Sequence, residues 1–374
     1  MPKMDRLITI HQPKRLEIGA GASTRVGKLA EGFSRPLVIA SGQTAQYSKR
    51  LGLHGEVLVV DKVPPEPDLL ALDRLLGAAR KHRPDIVVGL GGGSVLDIAK
   101  LVAALWNRDQ TLHDVAGPNR VEGRDTYLFQ VATTAGTGSE AGIRALVTDP
   151  VTKSKIAVES PHLVADLAVL DPELTQSVPA AVTAATGIDA MAHCVEAFTN
   201  VHANDLIDDY ARMGFRLVGQ YLKRAVQDGS DLEARAGMML ASYYGGICLG
   251  PVNTAAGHAL AYPLGTRLSL PHGLANAIIF PHVLAFNHPV AVEKTAEVAD
   301  ALSLKNASNQ DALKAAAFEY CRSLGIEMCL RSHGAEKGDL ANWAEEAFAI
   351  RRLMDNNPRE MNVADILGIY QDAF

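Results

Sequence analysis

Cysteine is scarce in this chain of 374 residues: the four are Cys194, Cys248, Cys321 and Cys329, and no two form a CxxC pair. That argues against a disulfide framework or a thiolate metal site and fits buried thiols in a reducing compartment. A basic excess is also missing. The net charge of -6 speaks against nucleic acid or an acidic membrane surface as a partner. No run of about eighteen apolar residues occurs, so no spanning helix is expected. The opening MPKMDRLITIH lacks the long apolar core of a signal peptide, and a cytoplasmic protein is expected. Neither GxGxxG nor a Walker GK[ST] loop is present. There are no repeats, low-complexity segments or flexible linkers. What remains is ordinary globular composition, 48% hydrophobic and 21% charged, with length enough for two domains.

The first half alternates short apolar runs with amphipathic helical stretches. A short strand or hairpin is expected at LITIH, ending near Pro13, and a helix at roughly 22–32. PLVIAS, GEVLVVD, DIVVGL and the run from Tyr127 to Ala132 read as buried parallel strands. Leucines three and four apart predict a helix over 69–82. IRALVTD and KIAVES read as strands around a turn, and ADLAVLDP closes the section. Such alternation predicts an α/β domain with a largely parallel sheet over residues 1–178. From residue 179 to 374 alanine- and leucine-rich patterns predict an all-helical domain. Its helices are expected at 180–198, 204–227, 231–249, 253–262, 273–286, 290–304, 308–324 and 339–354, with a last packed helix beyond.

GGGS at 91–94 falls between a strand and a helix. Glycines permit close backbone approach, and a helix start offers free N–H groups to a phosphate. Asp97 and Lys100 lie one and two turns on; Asp97 either caps the loop or holds ligand hydroxyls. A second loop, TTAGTGSE, offers the hydroxyls of Thr133, Thr134, Thr137 and Ser139. Two such loops favour a large nucleotide ligand. After the PLVIA run stand Ser41 and Gly42, where an acidic residue would bind a ribose 2′-hydroxyl and repel a 2′-phosphate. Their presence favours NADP(H) within the NAD(P)(H) class.

The second half concentrates possible metal ligands. Asp189 and His193 are four apart and share one face of a helix. His258 and His272, each beside a glycine, can fold back onto that face. One carboxylate and three imidazoles suit Fe²⁺ or Zn²⁺. Glu196 is an alternative ligand or an outer partner. A carboxylate in the apolar run around Asp189 needs a counter-charge if it is buried.

GGGSVLDIAK, TTAGTGSE, DPELT, GIDAMAH, GHALAYPLG with LPHG, and NNPRE together resemble the iron-containing (group III) alcohol dehydrogenase family, over residues 7–374. The resemblance implies a dinucleotide-binding α/β domain and a helical metal-binding domain, with the active site between them. It implies Asp189, His193, His258 and His272 as metal ligands. It places Gly92, Gly93 and Ser94 at the pyrophosphate, and makes Thr133, Thr134, Thr137 and Lys155 cofactor neighbours. It also implies a homodimer that interconverts a small-molecule alcohol with its aldehyde or ketone. Many members carry a further histidine four residues after the third ligand; this chain has Tyr262. A free phenol titrates at about 10 and is a poorer proton shuttle than imidazole, so Tyr262 is a candidate catalytic hydroxyl with a changed role. Tyr243, Tyr244 and Phe286 are further candidates for pocket walls. Two alternatives share the layout: a maleylacetate-reductase-like enzyme and a metal- and NAD-dependent lyase of the dehydroquinate-synthase type. The latter calls for more basic residues than GIDAMAH and GHALAYPLG carry.

Overall fold

The computed structural model describes residues 7–151 and 154–374. The backbone clusters into two compact units, residues 10–177 and residues 178–374 together with the described residues 7–9. In the first unit the described elements are β1 (Arg15–Ile18), α1 (Val26–Leu29), β2 (Pro36–Ala40), β3 (Leu58–Val60), α2 (Leu69–His82), β4 (Ile86–Gly91), α3 (Gly93–Leu105), α4 (Leu112–Val115), β5 (Gly117–Pro118), β6 (Tyr127–Ala132), β7 (Arg144–Thr148), β8 (Lys155–Glu159) and β9 (Leu167–Leu170). The second unit holds α5 (Ala180–Thr199), α6 (Asp205–Gln227), α7 (Leu232–Val252), α8 (Ala256–Leu268), α9 (His272–Asn287), α10 (Val292–Ala301), α11 (Gln310–Ser323), α12 (Leu340–Phe348), α13 (Arg351–Met354) and α14 (Val363–Ala373).

Six strands form a sheet in the order β1-β9-β6-β4-β2-β3, parallel throughout. The apolar runs are continuous because both faces are covered. Leu37 and Ile39 of β2 pack with Leu72, Ile98 and Val102 on one face. Val38 and Ala40 of the same strand pack with Val26, Leu51 and Val169 on the other. A smaller sheet, β5-β8-β7, carries the expected hairpin as the antiparallel pair β7–β8. Helix α2 begins where the Asp68 side chain accepts from the Ala71 N–H at 2.8 Å and ends at Arg83, in the left-handed region at φ 56°.

Three expectations about elements are corrected. Residues 7–13 form no strand, and the first begins at Arg15. The first bond toward the β9 side runs from Lys14 N–H to Ala165 O, just ahead of β9, and Pro13 has no N–H to offer. Residues 22–32 contain a 3₁₀ turn and the single turn of α1, with Gly32 at positive φ. The stretch 339–354 breaks into α12 and α13. Conversely, α8 runs through Pro263 to Leu268, further than the pattern implied. No described helix is long and apolar enough to cross a membrane.

In the helical unit, small residues bring the helices close. A Cβ on Gly187 of α5 would lie 2.2 Å from Leu222 of α6. One on Gly273 of α9 would lie 2.8 Å from the Ala185 carbonyl oxygen of α5. Backbone cannot yield as a side-chain tip can, so Gly273→Ala must push α9 off α5. We expect it to destabilise the metal-free protein by about 1–3 kcal/mol, measured by urea denaturation. Unchanged stability would show that this approach is slack.

Candidate metal and dinucleotide sites

The sheet positions the polar loops. β2, β4 and β6 are parallel neighbours, so their carboxyl ends bring Ser41 and Gly42, Gly92 and Gly93, and Thr133 and Thr134 to one edge. The chain leaves β2 for β3 on one side and returns as β4 on the other. Open parallel sheets bind ligands at such a reversal. Gly92 is the N-cap of α3 and supplies no side-chain cap, which leaves N–H groups at that helix start for an anion. The two glycine loops abut. A Cβ on Gly92 would lie 3.0 Å from Thr134 Oγ1, and one on Gly93 2.6 Å from Thr137 Cγ2.

Other polar residues are engaged within the unit. Asp97 accepts from Ser139 Oγ at 2.5 Å and from the Leu146 N–H at 3.0 Å, tying α3 to the second loop and to β7. Lys100 is fully buried and donates to Arg144 O at 2.6 Å. Burial pushes its ammonium below the usual range, against the pull of Asp97 and Glu140. Burial likewise lifts Glu140 to about 7. Ser94 Oγ accepts from the Glu66 N–H. The Lys155 ammonium donates to Thr148 Oγ1 at 2.8 Å and pairs with Glu66. Ser41 and Thr44 hydroxyls lie 3.0 Å apart in a turn that Thr44 ties to Leu90 O.

In the helical unit the four anticipated groups converge. One ligand atom from each of Asp189, His193, His258 and His272 lies within 4.8 Å of all the others. Asp189 and His193 stand a turn apart on α5, His258 lies in the first turn of α8, and His272 opens α9 after Pro271. Asp189 Oδ1 is 4.0 Å from His193 Nε2, 3.6 Å from His258 Nε2 and 3.7 Å from His272 Nε2. Ligands about 2.1 Å from a shared ion stand apart by similar amounts in tetrahedral geometry. The His193 and His258 rings stack with centroids 4.6 Å apart. Asp189, His193 and His258 are buried, whereas the His272 side chain is 28% exposed. The cluster therefore opens to solvent on the His272 side.

Glu196, one turn beyond His193, is the outer partner rather than a member of the cluster. Its Oε1 lies 2.7 Å from His258 Nδ1, and its Oε2 accepts from the Ala255 and His258 N–H groups at the start of α8. Gly257 makes room, since a Cβ there would lie 2.5 Å from Glu196 Oε1. With Nδ1 held by a carboxylate, Nε2 points into the cluster. That buried Nε2 has no hydrogen-bond partner. A buried ring nitrogen without a partner, facing a buried carboxylate, is where a cation would sit in place of a proton, so the residues fit a divalent metal.

The electrostatics agree. Burial alone would raise the Asp189 carboxyl, but His193, His272 and His258 hold it far below the carboxylate range. Burial pushes His193 down to about 4. For His258 burial is outweighed by Glu196 and Asp189, which lift it to about 10. Asn276 was not anticipated. It lies one turn after His272 on α9 and donates through Nδ2 to Asp189 Oδ1 at 2.6 Å, with His272 Nε2 at 3.1 Å. Its spacing of four from His272 was the available signal. Tyr262 stacks beside His272 with centroids 5.9 Å apart.

A parallel sheet presenting glycine loops and a buried histidine–carboxylate cluster equip one chain for metal-dependent oxidoreduction with a nicotinamide dinucleotide. Comparison with known proteins narrows the class. The family model described as iron-containing alcohol dehydrogenase matches residues 13–172, and that of the C-terminal part of the family matches residues 183–374. Long-chain-alcohol dehydrogenase 1 of Geobacillus thermodenitrificans is 35% identical, over 91% of this chain and 88% of its own. A solved 1,3-propanediol oxidoreductase superposes with TM-score 0.91 at 31% identity, covering 99% of this chain and 100% of that one. Maleylacetate reductase from Agrobacterium tumefaciens superposes less well, with TM-score 0.83 at 26% identity over 99% and 98% of the two chains. The chain belongs to the iron-containing alcohol dehydrogenase family. It is a metal-dependent, NAD(P)-linked oxidoreductase of alcohols and aldehydes, a reading favoured over the reductase and lyase alternatives.

Removing Glu196 isolates its role. Glu196→Ala leaves the His258 Nδ1–H and two helix-start N–H groups buried without an acceptor. We expect a loss of about 3–5 kcal/mol in the metal-free protein, measured by chemical denaturation. A change below about 1 kcal/mol would mean that water replaces the carboxylate freely.

Proposed function

We propose that Asp189, His193, His258 and His272 are the four ligands of a divalent iron or zinc ion, and that residues 179–374 are the metal- and substrate-binding domain. The observation that carries this is the buried, unpartnered His258 Nε2 facing Asp189. Residues 1–178 are the dinucleotide domain in this reading. Gly92, Gly93 and Ser94 receive the pyrophosphate at the start of α3. Thr133, Thr134, Thr137 and Lys155 flank the cofactor, and Asp97 serves it by holding the second loop. Ser41 and Gly42 leave space for a 2′-phosphate, since a Cβ on Gly42 meets nothing nearer than the Asp61 carbonyl oxygen at 3.8 Å. That supports NADP(H). We extend the reading, on the family resemblance, to a cytoplasmic homodimer.

When bound, the ion supplies a Lewis acid to the substrate oxygen, and the nicotinamide supplies the hydride donor or acceptor. The protein's own groups fix and shield that chemistry. Glu196 keeps the His258 proton on Nδ1, and Asn276 orients the Asp189 carboxylate. Burial on the α5 side excludes water and leaves the His272 side for substrate entry. There Tyr262 Oη accepts from Arg352, so its own proton remains available to a water or a substrate oxygen.

Two measurements test the assignment. His258→Ala is expected to lose bound metal and at least about 100-fold in turnover, while retaining NAD(P)H affinity by fluorescence titration. A variant with full metal content and activity would refute the ligand set. Ser41→Asp is expected to turn cofactor selectivity toward NAD by about tenfold or more, through repulsion of a 2′-phosphate. Equal kcat/KM ratios for the two cofactors before and after would remove Ser41 from cofactor recognition.

A further inference from the structure

The NNPRE motif lies far along the chain from the metal cluster, yet it is fastened to the helices that carry that cluster. Asn356 donates to the Thr254 carbonyl at 2.8 Å, just ahead of α8. Asn357 and Asn287, at the end of α9, exchange side-chain hydrogen bonds at 2.8 and 3.0 Å. Arg359 donates to Phe286 O at 2.8 Å. Leu353 and Met354 of α13 are buried in the same core as α8 and α9. The segment 352–359 is thus clamped to the two helices that carry His258 and His272.

That clamp holds up Arg352. Its Nη2 lies 3.3 Å from Tyr262 Oη, and its guanidinium carbon is 5.7 Å from the Tyr262 ring centroid. The same ring lies beside His272, the exposed member of the cluster. Neighbouring arginines are neutralised or satisfied. Arg351 pairs with Asp355, Arg267 with Glu346, and Arg359 is spent on a carbonyl and the Phe286 ring. Arg352 is exposed, and among the described residues no carboxylate lies within ion-pair distance of it. A permanently charged fork with donors to spare therefore stands on a rigid segment at the open side of the cluster.

We propose that Arg352, braced by Tyr262, is a specificity residue that binds an anionic group on the substrate, so that the enzyme acts on short aldehydes or alcohols carrying a carboxylate or similar oxyanion at the far end. This rests on the reading of the cluster as the centre of an alcohol–aldehyde oxidoreductase. A guanidinium meets such a group through paired, charge-assisted hydrogen bonds. A neutral chain of the same length leaves those donors to water. A cofactor phosphate offers the same oxyanion chemistry, and kinetics separate the two sources.

The test uses the metal-loaded full-length enzyme, following NAD(P)H oxidation with succinic semialdehyde and with butanal, four-carbon aldehydes that differ in the terminal carboxylate. The wild type is expected to show the higher kcat/KM for succinic semialdehyde. Arg352→Met should lower the ratio of the two kcat/KM values about 10- to 100-fold, mainly through the KM of the charged aldehyde. Arg352→Lys should recover part of the ratio, because it keeps the charge without the fork. A wild type that prefers butanal, or a ratio that moves less than about twofold in both variants, overturns the proposal alone. A rise in the KM for NAD(P)H that is equal with both aldehydes overturns it in favour of a cofactor phosphate. Failure of the wild type to reduce either aldehyde with either cofactor overturns this proposal, and failure across a wider panel of neutral aldehydes and alcohols overturns the underlying reading as well.

Discussion

The helical unit is built around a negative charge that has no access to water. Asp189 sits with its side chain 2% exposed in the middle of a helix made largely of alanine and other apolar residues. An isolated carboxylate there would cost several kcal/mol. One amide N–H from Asn276 does not offset that, so positive charge must come from the imidazole side. His258 cannot act as a simple donor through both nitrogens to both acids unless it is protonated. Its Nδ1 is committed to Glu196, which leaves Nε2 either as an ammonium-like donor or as a lone pair for a cation. The cluster therefore calls for a positive species, and a divalent ion, as proposed, would meet all four groups at once. The close approaches at Gly257 and Gly273 follow from this need. They let α8 and α9 deliver their histidines without a Cβ displacing Glu196 or the α5 backbone.

The α/β unit solves a different problem with related means. In the proposed reading it leaves helix-start N–H groups free for a ligand while keeping the loops around them rigid. Rigidity comes from beneath. Asp97, Lys100 and Ser139 stitch α3 to the second loop and to β7. The groups at the top of the sheet are small glycines and threonines. A larger residue at position 92 or 93 would force the two loops apart, so the glycines are required by the contact between loops as much as by any ligand.

Much of this was legible before any coordinates. The strand at Tyr127–Ala132 and the helix over 69–82 announced themselves by period and composition, because burial on both sheet faces and on one helix stripe imposes those patterns. Asp189 and His193 could be paired from their spacing alone. His258 and His272 could be joined to them only by chemistry, as local pattern does not encode which distant helices meet. The missed features were tertiary in the same sense. Nothing in LITIH reveals that pairing with the sheet starts only at Arg15. Nothing in the 339–354 pattern marks the break between α12 and α13. Nor does Pro263 stop α8, since helix packing outweighs one lost backbone hydrogen bond. Arg352 acts through a partner 90 residues away, beyond the reach of any motif, and Asn276 reaches Asp189 across 87 residues with only its spacing of four from His272 as a local signal.

Tyr262 and Arg352 are best understood together. An imidazole at position 262 would alternate between donor and acceptor near neutral pH and would be repelled by a neighbouring guanidinium whenever it was protonated. A phenol has no such conflict. Its ring face attracts the cation, its oxygen accepts from it, and the ring still stacks beside His272. Tyrosine at this position is thus compatible with a fixed positive charge beside it. In the proposed reading, the tyrosine that stands where the resemblance implies an imidazole and the arginine beside it act together at the open face of the cluster, selecting what enters.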